Sequence, residues 1–109
     1  SKHSETDAVW ASDDDMALGV IEAIKQAGRE DQMWVLGGAG MKQMIERVKA
    51  GDTMVPADVT YPPSMIATAI RLTADRFVSR APMAGRFVID SVLVTAENAD
   101  EHYYPDSPF

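Results

Sequence analysis

Apolar residues recur at two spacings along the chain, and these spacings predict short strands that alternate with helices. Short apolar runs are typical of buried strands, whereas apolar residues three and four positions apart are typical of the buried face of a helix. Four runs predict strands: 8–11, 33–36, 53–61 and 87–95. Three patterns predict helices: 14–27, 41–50, and a segment that begins with Ser64 as its cap and extends to Phe77.

The order of these elements predicts the fold class. Strands separated by amphipathic helices are usually joined by crossovers, which implies parallel pairing and an α/β sheet. Gly28 and Gly51 stand where helix-ending glycines are expected, and Pro62 and Pro63 close the third strand. The acidic, aromatic and proline-containing tail, residues 97–109, is predicted to be a loop.

Composition narrows the possible partners. The chain has 109 residues, enough for one domain, with 46% hydrophobic and 25% charged residues. Its net charge of −7 argues against nucleic acid or an anionic membrane as the main partner. The chain lacks cysteine, and no apolar run approaches the roughly 20 residues of a membrane helix. The polar start at Ser1 lacks a signal-peptide core, so we expect any export signal to lie upstream.

Three loops are expected at the carboxyl ends of the strands, where open parallel sheets bind ligands. They are residues 12–15, 37–40 and 61–63. In the first loop, Asp13 or Asp14 can cap the following helix, and Asp15 favours the positive end of its dipole. A metal site is disfavoured, since adjacent carboxylates converge poorly on one ion. The third possibility is that Asp13 accepts hydrogen bonds from a ligand.

The glycine-rich loop at 37–40 permits several interpretations. It follows a strand and precedes a helix, but Gln43 occupies the third glycine position of a dinucleotide-binding turn, and no P-loop sequence follows. A tight turn with close helix–strand packing and a small-ligand site remain open. His3 and His102 lie near the termini and are predicted to be exposed, so no catalytic residue is assigned. The methionines on apolar faces and both tryptophans are predicted core residues: Met16, Met33, Met41, Met44, Met65, Trp10 and Trp34.

Several motifs resemble one known family. VWASDDDMALG at 9–19, followed by the helix that ends at Ala27-Gly28, resembles the V-F-A-x-N-D-x-M-A-L-G segment of type I periplasmic sugar-binding proteins of ABC importers. VLGGAG at 35–40 stands where that family has V-G-F-D-G. ADVTYPP at 57–63 stands where it has A-T-x-x-Q-x-P, and the ending through Phe109 is similar to the family's C-terminus.

The resemblance implies the C-terminal part of a two-lobe receptor, with a three-layer, parallel-sheet architecture. Residues 1–60 would form the second half of the C-terminal lobe. Residues 61–96 would form a hinge crossing together with a helix and strand of the N-terminal lobe, and residues 97–109 a tail. Because such a piece would expose an unpaired apolar edge, we expect it to self-associate.

The resemblance also implies site residues. Asp13 stands at a ligand-contacting Asn, Tyr61 at a ligand-contacting Gln, and Asp14 at an Asp that caps the helix. Ala39 replaces an Asp that accepts two sugar hydroxyls, which favours a smaller sugar or polyol as ligand. No cofactor and no metal are implied. The implied function is to capture the solute by lobe closure and to deliver it to a membrane permease, in the periplasm or, with a lipid anchor, outside the cell.

Three alternatives stay open at this stage. The effector domain of a LacI-type repressor shares the lobe architecture and similar motifs. A nucleotide-dependent α/β enzyme would use residues 37–40, although the third glycine and an acid–base pair are missing. A free-standing interaction domain without a ligand is the third.

Overall fold

The computed structural model describes residues 3–61 and 63–108. The predictions made for Ser1, Lys2, Pro62 and Phe109 lie outside these residues. Eight elements follow one another along the chain: β1 (Ala8–Trp10), α1 (Asp14–Gln26), β2 (Trp34–Leu36), α2 (Lys42–Lys49), β3 (Ala57–Val59), α3 (Ser64–Phe77), β4 (Leu93–Thr95) and α4 (Ala99–His102). The predicted order of strand and helix, three times and then a strand, is confirmed.

The α/β class is also confirmed, with one difference in strand direction. β1 pairs in parallel with β2, and a parallel bridge joins Ala39 to Thr60, but β3 pairs antiparallel with β4. After α3 the chain returns through residues 78–92, which the structure describes without a helix or strand, and reaches β3 from the opposite direction. The prediction of parallel pairing throughout was therefore wrong for the last strand. Residues 87–92 add nothing to that strand, and the tail contains the short helix α4 where a loop was predicted.

The core lies between α1, α2 and the strands. Ala17 and Ile21 from α1 pack with Met44 and Val48 from α2 around the fully buried Val35 of β2. These are the positions that helical spacing predicted. Gly28 ends the first helix with a φ of +63°, a conformation that glycine adopts without steric cost.

Several predicted core residues lie on the surface instead. Trp10 is 75% exposed, and Met16 and Trp34 are also exposed. Trp10 and Trp34 flank positions whose side chains point inward, so the alternation of a strand turns them to the opposite face. Met44 is buried as predicted, whereas Met33, Met41 and Met65 are partly buried.

The apolar face of α3 is uncovered. Ile66, Ile70 and Phe77 are 66%, 62% and 75% exposed, and no described residue of this helix is buried. The radius of gyration is 17.7 Å, compared with about 13 Å for a compact domain of this length. Thus α3 and the returning segment extend away from the core.

The outgoing and returning chains meet beside β3. The Thr60 N–H donates to the Val92 carbonyl over 2.9 Å, and the Val92 N–H donates to Thr60 Oγ1 over 3.1 Å. The excursion that carries α3 therefore begins and ends at one hydrogen-bonded pair. Among the described residues, no helix is long and apolar enough to cross a membrane.

Candidate functional site

The three loops predicted at the carboxyl ends of the strands line one open cavity of about 910 Å³. Asp13 comes from the loop after β1 and Asp15 from the first turn of α1. Ala39 comes from the loop after β2, and Tyr61 from the segment after β3. The returning chain adds Asp90, and the tail closes a further side. The structure thus brings Asp13, Ala39 and Tyr61 to one cavity, as the sequence predicted; their role in binding stays a prediction.

Asp13 caps α1. Its backbone is extended, with φ −155° and ψ 150°, and its Oδ1 accepts the Asp15 N–H over 2.9 Å. The assignment of the cap to Asp14 was therefore wrong by one residue, because Asp14 already has helical backbone geometry. The other oxygen of Asp13, Oδ2, accepts the Tyr61 hydroxyl over 3.1 Å. One carboxylate thus fixes both the helix start and the edge of the cavity.

Asp14 connects the first two loops instead. Its side chain is fully buried, Oδ1 accepts the Gly38 N–H over 2.8 Å, and Oδ2 accepts the Met41 N–H over 2.7 Å. Hydrogen bonds to a charged acceptor are stronger than neutral ones. Asp14 therefore holds the glycine-rich loop in place, and that loop carries Ala39.

Asp58 is a buried carboxyl group beside the cavity-lining Asp14, and the sequence did not single it out. It lies on β3, is fully buried, and neither of its carboxyl oxygens has a hydrogen-bond partner among the described residues. Its side chain and that of Asp14 both border the space that a Cβ on Gly37 would fill, so only glycine fits there. Burial and the negative charge of Asp14 raise the pKa of the Asp58 carboxyl to about 7. The sequence did contain one signal for this residue, because Asp58 is a carboxylate between two apolar residues of a predicted strand.

Tyr61 closes the edge between the first and third loops. Its hydroxyl lies 3.1 Å from the Ser12 carbonyl as well as from Asp13, and either oxygen can accept its proton. Burial and the hydrogen bond to Asp13 raise the pKa of the Tyr61 phenol above its usual value. The phenol therefore stays a donor across the physiological pH range.

Ala39 supplies no polar side chain to the cavity. Its φ of +148° lies in the range that favours glycine, and its N–H donates to the Val59 carbonyl over 2.9 Å. The tight turn with close helix–strand packing predicted for residues 37–40 is confirmed. At Ala39 the loop therefore offers space to a ligand and no side-chain acceptor.

The cavity is acidic. Asp13, Asp15 and Asp90 line it, and no lysine or arginine is among its described lining residues. Within residues 3–61 and 63–108, no group of three or more His, Asp or Glu side chains has the arrangement of a metal site. His3 is exposed as predicted, whereas His102 is partly buried at the cavity. These features fit a site that hydrogen-bonds a ligand carrying donors.

Comparisons with known proteins agree with this geometry. Residues 1–78 match the model of the periplasmic binding protein domain. The chain is 30% identical over 95 residues to the ribose import binding protein of Escherichia coli, an alignment that covers 87% of this chain and 31% of that protein. It is 29% identical over 98 residues to the D-allose-binding periplasmic protein of the same organism, covering 81% of this chain and 30% of that protein.

Among solved structures, the Caulobacter myo-inositol binding protein bound to myo-inositol superposes with a TM-score of 0.74 and 32% identity, covering 87% of this chain and 32% of that one. The chain spans about a third of the length of these relatives, which are named as binding proteins and not as enzymes. Its α/β architecture is that of a part of such a protein. The chain belongs to the periplasmic binding protein domain family.

Proposed function

We propose that this chain is the C-terminal portion of a sugar-binding receptor of an ABC importer. The observation that carries the proposal is the cavity that Asp13, Ala39 and Tyr61 line together at the carboxyl ends of three strands. Residues 1–60 form the second half of the C-terminal lobe, and the hinge crossing at residue 61 leads to α3 in the N-terminal lobe. The strand expected for the N-terminal lobe within residues 61–96 returns instead to the C-terminal lobe, since β4 pairs with β3 and Val94 lies in the core; residues 97–109 are the tail. The role is binding, without catalysis.

The uncovered face of α3 supports this division. An exposed apolar stripe on a helix usually marks a surface that another element covers. Ile66 and Ile70 stand in such a stripe, outside the core that α1 and α2 share. In a complete receptor, the rest of the N-terminal lobe covers it, and the ligand bridges both lobes and stabilises the closed form.

The ligand that suits this half of the cleft is a small sugar or polyol. Asp13 is an acceptor, so it selects hydroxyl donors, while Ala39 offers no acceptor for a second pair of hydroxyls. Relatives are named for ribose, D-allose and myo-inositol, all of which are neutral and rich in hydroxyls. By the same relationship, the receptor works in the periplasm, or outside the cell on a lipid anchor, and delivers its ligand to a membrane permease.

The first test replaces Asp13 with Ala in the complete receptor. We expect binding of a sugar from the panel D-ribose, D-allose and myo-inositol to weaken at least tenfold, since a charged acceptor is lost. Calorimetry measures the affinity. Asp13→Ser is the matched control for the helix cap, because it keeps a capping oxygen and shortens the side chain. Unchanged affinity in both variants would remove Asp13 from the site.

A second test concerns the 109-residue chain by itself. We expect it to form a dimer or higher oligomer through the uncovered face of α3, as measured by light scattering. Ile70→Glu should shift it towards the monomer, because a charge would then be buried in the contact. Thr68→Glu, on the opposite side of the same helix, is the control and should leave the mass unchanged. A monomeric wild-type chain would contradict this prediction.

A further inference from the structure

The C-terminal tail is held against α2 by three side chains of that helix. Lys42 Nζ donates to the carbonyls of Pro105 and Ser107 over 3.0 and 3.4 Å. The Tyr103 hydroxyl donates to Glu46 Oε1 over 2.6 Å. Lys49 forms an ion pair with Asp100 and lies 5.2 Å from the centre of the Tyr103 ring. The tail is therefore attached at several points along its length.

This attachment determines which tail side chains face the cavity. Tyr103 has an extended backbone, with φ −90° and ψ 115°, and its side chain points to α2. His102, the last residue of α4, and Tyr104 precede and follow it in the chain. Both line the cavity that Asp13 and Tyr61 share. Tyr104 remains 65% exposed there.

We propose that the tail, residues 97–108, is a strap that α2 fixes across one side of the cleft, and that His102 and Tyr104 contact the ligand and select it. This inference rests on the proposed function and adds a wall that the three loops do not supply. The imidazole of His102 offers one donor and one acceptor to ligand hydroxyls. The ring of Tyr104 offers an apolar face to the C–H side of a sugar or cyclitol, and its hydroxyl offers a polar tip.

The strap also compensates for Ala39. The lining residues of the loop after β2, Ala39 and Gly40, present no side-chain acceptor to the cavity, whereas His102 and Tyr104 both carry one. Selectivity among similar sugars then depends on where the tail places these two groups. The ligand class that follows is a neutral ring compound with hydroxyls on its edge and one apolar face.

The test measures affinities of the complete receptor for D-ribose, D-allose and myo-inositol by calorimetry. We expect His102→Ala and Tyr104→Ala each to weaken binding of the preferred compound at least fivefold and to change the order of preference. Glu101→Ala is the matched control, since this tail residue is exposed and is not among the residues that line the cavity. Affinities equal to wild type in both variants would overturn the strap proposal and leave the proposed function standing.

A second measurement needs no ligand. The chain has no cysteine, so Tyr104→Cys provides a unique site for a paramagnetic label. We expect the label to broaden the amide signal of Met41, which borders the same cavity, and Lys42→Met to weaken that broadening by releasing Pro105 and Ser107 of the tail from α2. If the label left the amide signal of Met41 unbroadened, the proposed position of the strap beside the cavity would be contradicted. If the label shows the strap seated and no panel compound binds to wild type, the proposed function fails instead.

Discussion

Asp58→Asn is expected to stabilise the chain at pH 8 and to leave its stability at pH 4 nearly unchanged. The folded-state pKa of Asp58 is about 7, whereas an unfolded Asp titrates near its ordinary value of 3.8. The folded state therefore binds more protons than the unfolded state between these values, and its stability falls as the pH rises from about 4 to about 7. The side-chain amide of the variant carries no charge at any of these pH values, so the stability of the variant does not fall as the pH rises.

The expected gain at pH 8 is on the order of 2–4 kcal/mol, since one unit of pKa corresponds to about 1.4 kcal/mol. Urea unfolding followed by circular dichroism between pH 4 and pH 8.5 measures it. Asp31→Asn is the control, because this carboxylate is exposed and its removal should not alter the slope. If the free energy of unfolding changed with pH in the same way for wild type and Asp58→Asn, the prediction would be contradicted, because the loss of stability would not come from Asp58.

Asp14→Ala is expected to cause the largest loss of stability, about 3 kcal/mol or more. The substitution leaves the N–H groups of Gly38 and Met41 without their charged acceptor in a buried place. Asp14→Asn keeps one acceptor oxygen and should lose about half as much. Both variants should also speed amide exchange at Gly38 and Met41, because the loop that carries Ala39 is no longer fixed.

The control for this prediction is the next residue. Asp15→Ala removes an exposed carboxylate from the same helix start and should cost about 0.5 kcal/mol, the usual contribution of a charge near a helix end. Urea unfolding compares the variants at one pH. Equal losses for Asp14→Ala and Asp15→Ala would contradict the role of Asp14 as the link between the loops.

Local patterns were sufficient to predict the two helices that pack into the core. Ala17, Ile21 and Ile24 lie on one face of α1 at helical spacing, and that face is buried. The glycines at 37–40 predicted that a helix and a strand pack closely together. The structure gives the physical reason, because the side chain of Asp14 lies where a Cβ on Gly37 would be. Where the residues that pack against a segment are near it in sequence, the spacing of its apolar residues is enough to predict which face is buried.

Features that depend on distant partners were not predictable. The direction of β4 follows from the path of residues 78–92, and no periodicity encodes that path. Trp10 was assigned to the core because it lies within a predicted strand, but its side of the strand is exposed. The sequence also could not predict that Asp58 lies close to Asp14 or that the tail runs along α2. Residues far apart in sequence give no sign in the sequence that they are in contact.

The hydrogen-bonded pair of Thr60 and Val92 makes the length of the stretch between them adjustable. Its two ends are already joined on the core side, so its length contributes only a logarithmic entropy term, about 0.6 kcal/mol for each doubling. Insertions and deletions within residues 78–88, which do not line the cavity, should therefore be tolerated during evolution. A protein engineer could graft another domain into residues 78–88 and keep the carboxylate-lined edge unchanged.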